Sequence, residues 1–269
     1  MIRFLATDLD GTLLTSAKTI SPYSKQVLIE EQKRGITIIL ASGRPLYSIL
    51  PYAEQLELPK HHGFIIAYNG SIIWDCAEGK AIKEQSIPPH IIPELAKAVG
   101  EDFRIHGYKG SNIVVQGTPD EHSKYISWAN KMPLLETKDF AEAITDLQHK
   151  CIITGSPHKV WRLERKLQRQ FDATLDFFRS ENFLLEIVPK GIDKAKALHE
   201  LLDRIGGKTD NLLCCGDGYN DLNMMRVGGI SCATRNARKP VKAAATFVTD
   251  CNDQDGVAHA VETFISESR

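Results

Sequence analysis

The sequence has few of the features that mark membrane proteins, disulfide scaffolds or nucleic-acid binders. It has no apolar run near the roughly 18 residues that a membrane-spanning helix needs, and its N-terminus lacks the basic start and cleavage site of a secretory signal. The six cysteines are scattered and form no C-x-x-C pair, so we predict reduced, mainly packing cysteines. A formal net charge of −1 gives no general attraction to nucleic acid or anionic membranes. A cytoplasmic protein is expected.

The composition is that of an ordinary globular protein. Apolar residues make up 42% of the chain and charged residues 25%. Its 269 residues are enough for one large domain or two small ones.

Short apolar strands alternate with helical segments in the first and last thirds of the chain. The runs IRFLATD, ITIILAS and GFIIAYNG are predicted strands, and NLLCCGDG in the last third is another. Ser21 and Pro22 are the predicted N-cap and first residue of a helix. A second helix in PLYSILPYAEQLEL is expected to bend or stop near Pro51. This alternation predicts a doubly wound parallel sheet, an α/β fold.

The middle third has a different pattern. Between about Pro88 and Glu186, FRIHGY is followed by SNIVVQG, and ATLDFF by FLLEIV. Paired strands of this kind predict an antiparallel sheet with helices on one face, and a loop region is expected after the second helix of this segment. We therefore predict a core domain from residues 1–87 and 187–269, with an inserted α/β domain over residues 88–186.

Polar residues follow four of the predicted core strands. These residues are Asp8-Leu9-Asp10-Gly11-Thr12, Ala41-Ser42-Gly43-Arg44, Asn69-Gly70 and Gly216-Asp217-Gly218-Tyr219-Asn220-Asp221. In an open parallel sheet, ligands bind beyond the carboxyl ends of the strands. We therefore expect carboxylates, a hydroxyl and an amide to meet at one edge.

Asp8 and Asp10 stand close together at the end of a strand that is expected to be buried. Neighbouring carboxylates raise each other's proton affinity, which is costly unless a cation or a proton transfer is involved. Mg²⁺ prefers such oxygen ligands, and it also neutralises a phosphoryl group placed against them. An aspartate in this position can attack phosphorus.

Four motifs resemble those of the haloacid dehalogenase superfamily: D-L-D-G-T at 8–12, S-G-R at 42–44, Lys194 before a helix, and G-D-G-Y-N-D at 216–221. YNG at 68–70, PKGIDKAKAL at 189–198 and the insertion resemble its Cof-type phosphatases. The resemblance implies a Rossmann-like core with an α/β cap and a Mg²⁺-dependent phosphomonoester hydrolase acting on small organic phosphates, sugar phosphates among them. A phosphomutase using the same nucleophile, or a non-catalytic phosphoacceptor, is the alternative; the α/β insertion argues against a mutase.

The resemblance also implies roles for individual residues. Asp8 matches the nucleophile and a metal ligand, while Asp10 matches the general acid/base, with its backbone carbonyl on the metal. Asp217 matches the other metal ligand. The matches to phosphate-binding groups are Ser42, Lys194, Asn220 and the backbone amides of Leu9 and Gly43. The residues expected behind these groups or against substrate are Asp221, Thr12, Arg44 and Asn69. The expected partner is a small phosphate ester, and the protein is expected to be a monomer or small homo-oligomer.

Several of these residues have ordinary structural alternatives. Lys190 competes with Lys194 for the same role. Ser42 is also a candidate N-cap for the helix that follows it, and Arg44 is a candidate partner for a nearby acid.

Two further residues also have an ordinary structural explanation, and two other positions differ from the family's motifs. Asn69 suits a plain turn, and Asp221 suits a helix start, where an acid complements the dipole. Ala195 stands where the family often has glycine after the lysine. Arg235 stands in place of the first residue of a G-N-A motif, where it is either solvated or part of the substrate rim.

Overall fold

The computed structural model describes residues 1–266, and the chain divides into two compact units. One unit comprises Met1–Glu84 together with the chain from Asp193 onward, and the other comprises Gln85–Ile192. The predicted boundary at residue 186 falls inside a strand, Leu184–Pro189, that pairs on both sides within the second unit. That unit therefore continues to Ile192.

The secondary structure consists of short strands and helices, numbered here in chain order. The strands are β1 (Phe4–Thr7), β2 (Thr37–Ala41), β3 (Phe64–Ala67), β4 (Ile72–Asp75), β5 (Lys80–Glu84), β6 (Arg104–Lys109), β7 (Asn112–Gln116), β8 (Leu134–Thr137), β9 (Cys151–Thr154), β10 (Leu175–Glu181), β11 (Leu184–Pro189), β12 (Leu212–Gly216), β13 (Ile230–Ala233) and β14 (Phe247–Val248). The helices are α1 (Pro22–Lys33), α2 (Leu46–Gln55), α3 (Ile91–Val99), α4 (Glu121–Asn130), α5 (Phe140–Ala143), α6 (Pro157–Phe171), α7 (Lys194–Ile205), α8 (Leu222–Val227), α9 (Lys239–Ala244) and α10 (Gly256–Val261). None of the helices within residues 1–266 is both long and apolar enough to cross a bilayer.

The first unit is built on an eight-stranded sheet in the order β14-β13-β12-β1-β2-β3-β4-β5. The strands from β14 to β3 are parallel, and β4 and β5 form an antiparallel hairpin. Ala6 and Ile39 belong to a core cluster with α7, α8 and α9. Leu5 and Ile38 point to the opposite face, because side chains alternate along a strand, and they are fully buried too. The predicted doubly wound α/β fold is therefore confirmed.

The helix signals are partly confirmed. Ser21 caps α1, because its Oγ accepts a hydrogen bond from the Ser24 amide, and Pro22 is the first helical residue. The expected stop near Pro51 is wrong, since α2 continues through it to Gln55. Pro51 lies on the exposed side of α2, while Tyr52 on the buried side anchors the helix.

The second unit contains a six-stranded sheet in the order β10-β11-β9-β6-β7-β8. The predicted pairs β6–β7 and β10–β11 are antiparallel, as expected. One face carries a hydrophobic core shared with α3, α5 and α6. The loop expected after α4 is wrong in part, because Leu134–Thr137 forms β8, parallel to β7. Its four residues at the sheet edge are too few for a clear alternating pattern.

Candidate active site

The carboxyl ends of four parallel strands bring most of the predicted residues to one edge of the sheet in the first unit. Strand β1 lies between β12 and β2, with Thr7 opposite Cys215 on one side and Leu40 on the other. The residues that follow these strands therefore emerge side by side. Asp8 follows β1, Ser42 follows β2 and Asp217 follows β12.

Lys194 joins two of the carboxylates. Its Nζ lies 2.6 Å from Asp8 Oδ1 and 2.7 Å from Asp221 Oδ1. The lysine is the first residue of α7, and Asp193 caps that helix by accepting from the amides of Ala195 and Lys196. With only 1% of Lys194 exposed, its ammonium is held in place by charge and by burial.

The charges in this cluster shift each other's pKa. Burial raises the pKa of Asp8 well above its usual value; the Lys194 ammonium opposes this, and the carboxylates of Asp221 and Asp217 add to it. Burial alone lowers the pKa of Lys194, but the charges of Asp221 and Asp8 outweigh it and raise the pKa. The neighbouring acids therefore stabilise the charged form of Lys194.

Asp217 completes the acidic group. The Thr12 hydroxyl donates to Asp217 Oδ1 at 2.8 Å, so Thr12 orients this carboxylate. Gly11 leaves room for it: a Cβ at Gly11 would lie 2.5 Å from Asp217 Oδ2. Burial, with the Asp221 charge adding to it and the Thr12 hydrogen bond opposing it, raises the pKa of Asp217 to about 6.

The acidic group fits a divalent cation. Asp8, Asp217 and Asp221 each offer a carboxylate oxygen within 4.8 Å of the others. Two buried carboxylates pair with the Lys194 ammonium and a half-buried one adjoins them, and buried charge is costly unless it is paired or binds a metal. Asp221 accepts the most hydrogen bonds of the three, because its Oδ2 also accepts from the amides of Asp217 and Gly218. Asp8 and Asp217 are therefore the better donors, and hard carboxylate oxygens suit Mg²⁺.

Asp10 lies apart from this group and is paired with cations. Arg44 donates from Nε to Oδ2 at 2.5 Å and from Nη2 to Oδ1 at 2.8 Å, and Lys18 Nζ lies 2.6 Å from Oδ1. Burial opposes ionisation of Asp10, but the hydrogen bonds and charges of Arg44 and Lys18 outweigh it and lower its pKa to about 2. Arg44 is therefore the partner of an acid, which was one of its two alternatives.

Ser42 is not the N-cap of α2, a position that Pro45 occupies. Its Oγ accepts from the Arg44 amide at 3.2 Å. The amide N–H of Leu9 makes no hydrogen bond within residues 1–266, so it is available to a ligand.

Two amide side chains meet at the same edge. Asn220 Nδ2 donates to Asn69 Oδ1 at 3.0 Å. Asn69 has a left-handed backbone (φ 59°), which asparagine tolerates better than most residues. A Cβ at Gly43 would lie 3.0 Å from Asn69 Oδ1, so glycine allows this close approach.

The remaining candidates lie outside the cluster. Lys190 belongs to the second unit, where it pairs with Asp172 and Asp176. Arg235 is exposed but pairs with Asp250. Ala195 lies buried in the first turn of α7. The sequence did not predict the contact of Lys18 with Asp10 or the close approach of Gly11 to Asp217. Gly11 belongs to the D-x-D-G-T motif, which could have drawn attention to it, whereas no pattern singled out Lys18.

A buried ammonium among carboxylates at the edge of a parallel sheet is the arrangement expected of an enzyme that handles anionic, phosphoryl-type groups. Comparison with known proteins identifies the family. The model of haloacid dehalogenase-like hydrolases matches residues 5–261, and the chain belongs to this family. The predicted superfamily and the predicted enzyme class, a phosphatase, are confirmed.

Solved structures and curated proteins resemble the chain over nearly its full length. A haloacid dehalogenase-like hydrolase from Bacteroides thetaiotaomicron superimposes with a TM-score of 0.95 at 39% identity, covering 98% of this chain and 100% of that one. The 5-amino-6-(5-phospho-D-ribitylamino)uracil phosphatase YcsE of Bacillus subtilis is 27% identical, covering 98% of this chain and 96% of its own length. The pyridoxal phosphate phosphatase YbhA of Escherichia coli is 25% identical, with coverages of 96% and 97%.

Proposed function

We propose that this phosphatase is a Mg²⁺-dependent phosphomonoester hydrolase that acts through an aspartyl-phosphate on Asp8, with small organic phosphates, sugar phosphates among them, as substrates. The observation that carries the proposal is the group formed by Asp8, Asp217 and Lys194, in which two carboxylates able to hold a cation adjoin a buried ammonium. A bound Mg²⁺ would neutralise charge on the phosphoryl group and on the acids around it.

Asp8 is the nucleophile in this proposal. Its carboxylate oxygen forms a bond to phosphorus while the bond from phosphorus to the ester oxygen breaks, and the departing oxygen takes that electron pair. Asp10 gives this oxygen a proton, so that an alcohol leaves. Asp10 then takes a proton from water as the water oxygen attacks phosphorus, which releases inorganic phosphate and restores the Asp8 carboxylate.

Asp10 must carry a proton in the first step, although Arg44 and Lys18 hold its pKa at about 2. A phosphoryl dianion close to Asp10 raises that pKa, because a like charge disfavours the ionised form. Substrate binding itself therefore favours the protonated acid that the first step needs.

The phosphoryl oxygens are bound by donors at the strand ends. Lys194 supplies the positive charge, and the Ser42 hydroxyl, the Asn220 amide and the backbone amides of Leu9 and Gly43 supply hydrogen bonds. Thr12 supports Asp217 rather than substrate, and Asn69 holds the Asn220 side chain.

The substrate class rests on chemistry and on similar proteins. YcsE and YbhA carry names that describe phosphate esters of small organic molecules. The site of this chain offers one phosphoryl-binding lysine and two candidate metal ligands, which is enough for a monoester phosphate.

The proposal is tested by phosphate release from a panel of hexose phosphates, pyridoxal phosphate, nucleotides and p-nitrophenyl phosphate. We expect release in Mg²⁺ from at least one small monoester, complete loss in EDTA and recovery when Mg²⁺ is restored, because the carboxylates alone repel the phosphoryl dianion. Full activity in EDTA contradicts the metal requirement. No release from any member in Mg²⁺ contradicts the proposed substrate class.

The phosphate-binding lysine can be tested against its neighbour in sequence. We expect Lys194→Met to lower kcat/KM at least about tenfold more than Lys190→Met, a difference of roughly 1.4 kcal/mol. Lys194 is buried against Asp8, whereas Lys190 pairs with acids of the second unit. Methionine keeps the side-chain length in both variants, and circular dichroism checks that both fold. Equal losses would show that Lys194 does not bind the phosphoryl group.

A further inference from the structure

In the function proposed above, Lys18 acts only through its effect on the pKa of Asp10, yet its side chain also makes a direct contact with the Asp10 carboxylate. Its Nζ lies 2.6 Å from Asp10 Oδ1. Its backbone is left-handed (φ 57°), a conformation that costs a side-chain-bearing residue energy. Its amide donates to the Thr15 carbonyl at 2.8 Å, and its carbonyl accepts from the Tyr52 hydroxyl at 2.9 Å. Lys18 is therefore held by a tight turn and by α2, independently of its contact with Asp10.

The same tyrosine also supports the other partner of Asp10. The Arg44 guanidinium lies over the Tyr52 ring, 5.7 Å from its centroid, and Arg44 Nη1 donates to Ser48 Oγ at 3.1 Å. The contacts form a closed circuit: Asp10 to Lys18, Lys18 to Tyr52, Tyr52 to Arg44, and Arg44 back to Asp10. Because Tyr52 is almost fully buried, this circuit is fixed to the core of the first unit.

The two oxygens of Asp10 are occupied unequally. A carboxylate oxygen offers about two lone-pair sites. Oδ1 accepts from both Lys18 Nζ and Arg44 Nη2, so its two sites are filled. Within residues 1–266, Oδ2 accepts only from Arg44 Nε and keeps one site open. Without Lys18, both oxygens would have one arginine bond and one open site, so a proton on the carboxyl group could sit on either of them.

We propose that Lys18 is a positioning residue, which fills Asp10 Oδ1 and leaves Oδ2 as the oxygen that exchanges protons with the leaving group and with water. This inference rests on the proposed function, because it needs Asp10 to act as acid and base. Lys18 itself touches neither the phosphoryl group nor the reacting atoms. Its loss leaves phosphate binding intact and reduces the fraction of time that the proton of Asp10 is on Oδ2.

The experiment compares Lys18→Met, Lys18→Arg and a control, Lys25→Met, by rapid-quench measurement of the first step. Lys25 is an exposed lysine of α1 in the same unit, so its replacement removes the same charge without touching Asp10. With a hexose phosphate, we expect Lys18→Met to slow the first step about tenfold, part of the roughly 10²–10⁴-fold that general acid catalysis contributes. With p-nitrophenyl phosphate, whose leaving group needs no proton, the rate should stay within about twofold. KM should be unchanged, and Lys18→Arg, which restores a charged donor, should recover most of the rate.

Equal slowing with both substrates, a raised KM, or a Lys18→Met variant that behaves like Lys25→Met would overturn the inference. Asp10→Ala, measured in parallel, separates this result from the proposed function. If the slowing of the first step by Asp10→Ala depends strongly on the leaving group and the slowing by Lys18→Met does not, only the positioning role of Lys18 is wrong. If Asp10→Ala slows the first step equally for both leaving groups, the acid/base assignment fails and the inference fails with it.

Discussion

The Asp8→Asn variant is expected to lose phosphate release by more than about 10³-fold, because an amide oxygen is a poor nucleophile and no covalent intermediate forms. A loss of this size is expected for every substrate of the panel, since the first step needs the nucleophile whichever group leaves. Phosphate release with each substrate, together with acid-quench trapping of labelled protein, measures both consequences. Wild-type protein should retain label and the variant should not.

The variant should remain folded, which makes the result interpretable. Asparagine is nearly isosteric with aspartate, and its oxygen still accepts from Lys194. Lys194 keeps its ion pair with Asp221, so its ammonium is not left unpaired, and the melting temperature should stay close to that of the wild type. Asp253→Asn is the matched control: Asp253 is an exposed acid of the same unit that binds Ser16. Retention of a tenth of wild-type activity by Asp8→Asn would exclude covalent catalysis by this residue.

Asp10→Ala is expected to separate substrates by their leaving groups. A sugar alkoxide is a strong base and cannot leave without a proton, whereas p-nitrophenolate can. General acid catalysis contributes about 10²–10⁴-fold, so the first step should slow by that amount with a hexose phosphate and far less with p-nitrophenyl phosphate.

Rapid quench is the clean measurement, because Asp10 also activates water in the second step whichever group has left. With p-nitrophenyl phosphate, the variant should release about one equivalent of nitrophenolate per site and then stall as aspartyl-phosphate. With a hexose phosphate it should give no burst. Asp10→Asn serves as the second variant, since it keeps the shape of the residue and its one oxygen can still accept from Lys18 and from one nitrogen of Arg44. Equal impairment of the first step with both substrates would show that Asp10 only positions other groups.

Much of the fold and the polar edge of the sheet could be predicted because they depend on local sequence. A run such as Phe4–Thr7, three apolar residues followed by a threonine, is buried throughout, so its strand and its central place in the sheet follow from composition. Once parallel strands are adjacent, the residue after each strand must lie at the same edge. This is why Asp8, Ser42 and Asp217 could be grouped before any distance was known.

The features that could not be predicted depend on contacts between distant segments. Lys18 reaches Asp10 only because the turn from Thr15 to Lys18 closes with a left-handed residue, and periodicity carries no information on this. Strand β8 is a short edge strand whose pairing with β7 is set by the rest of the sheet. The role of Gly11 depends on the position of Asp217, a residue more than two hundred places later in the chain.

The place of β1 in the sheet affects how the site responds to partial unfolding. Sheets fray from their edges, here the two-residue β14 and the antiparallel β5, while central strands open only when the whole unit does. Asp8 directly follows β1, and Asp217 directly follows its neighbour β12. These two residues are therefore displaced only when the entire unit unfolds. Lys18 lies on a half-buried turn outside the sheet. Tyr52 ties this turn to the core, but opening the turn alone still costs less than opening the whole unit. On warming, proton transfer by Asp10 should therefore lose efficiency before the nucleophile loses its position, and the reaction should lose its ability to expel poor leaving groups while good ones still depart.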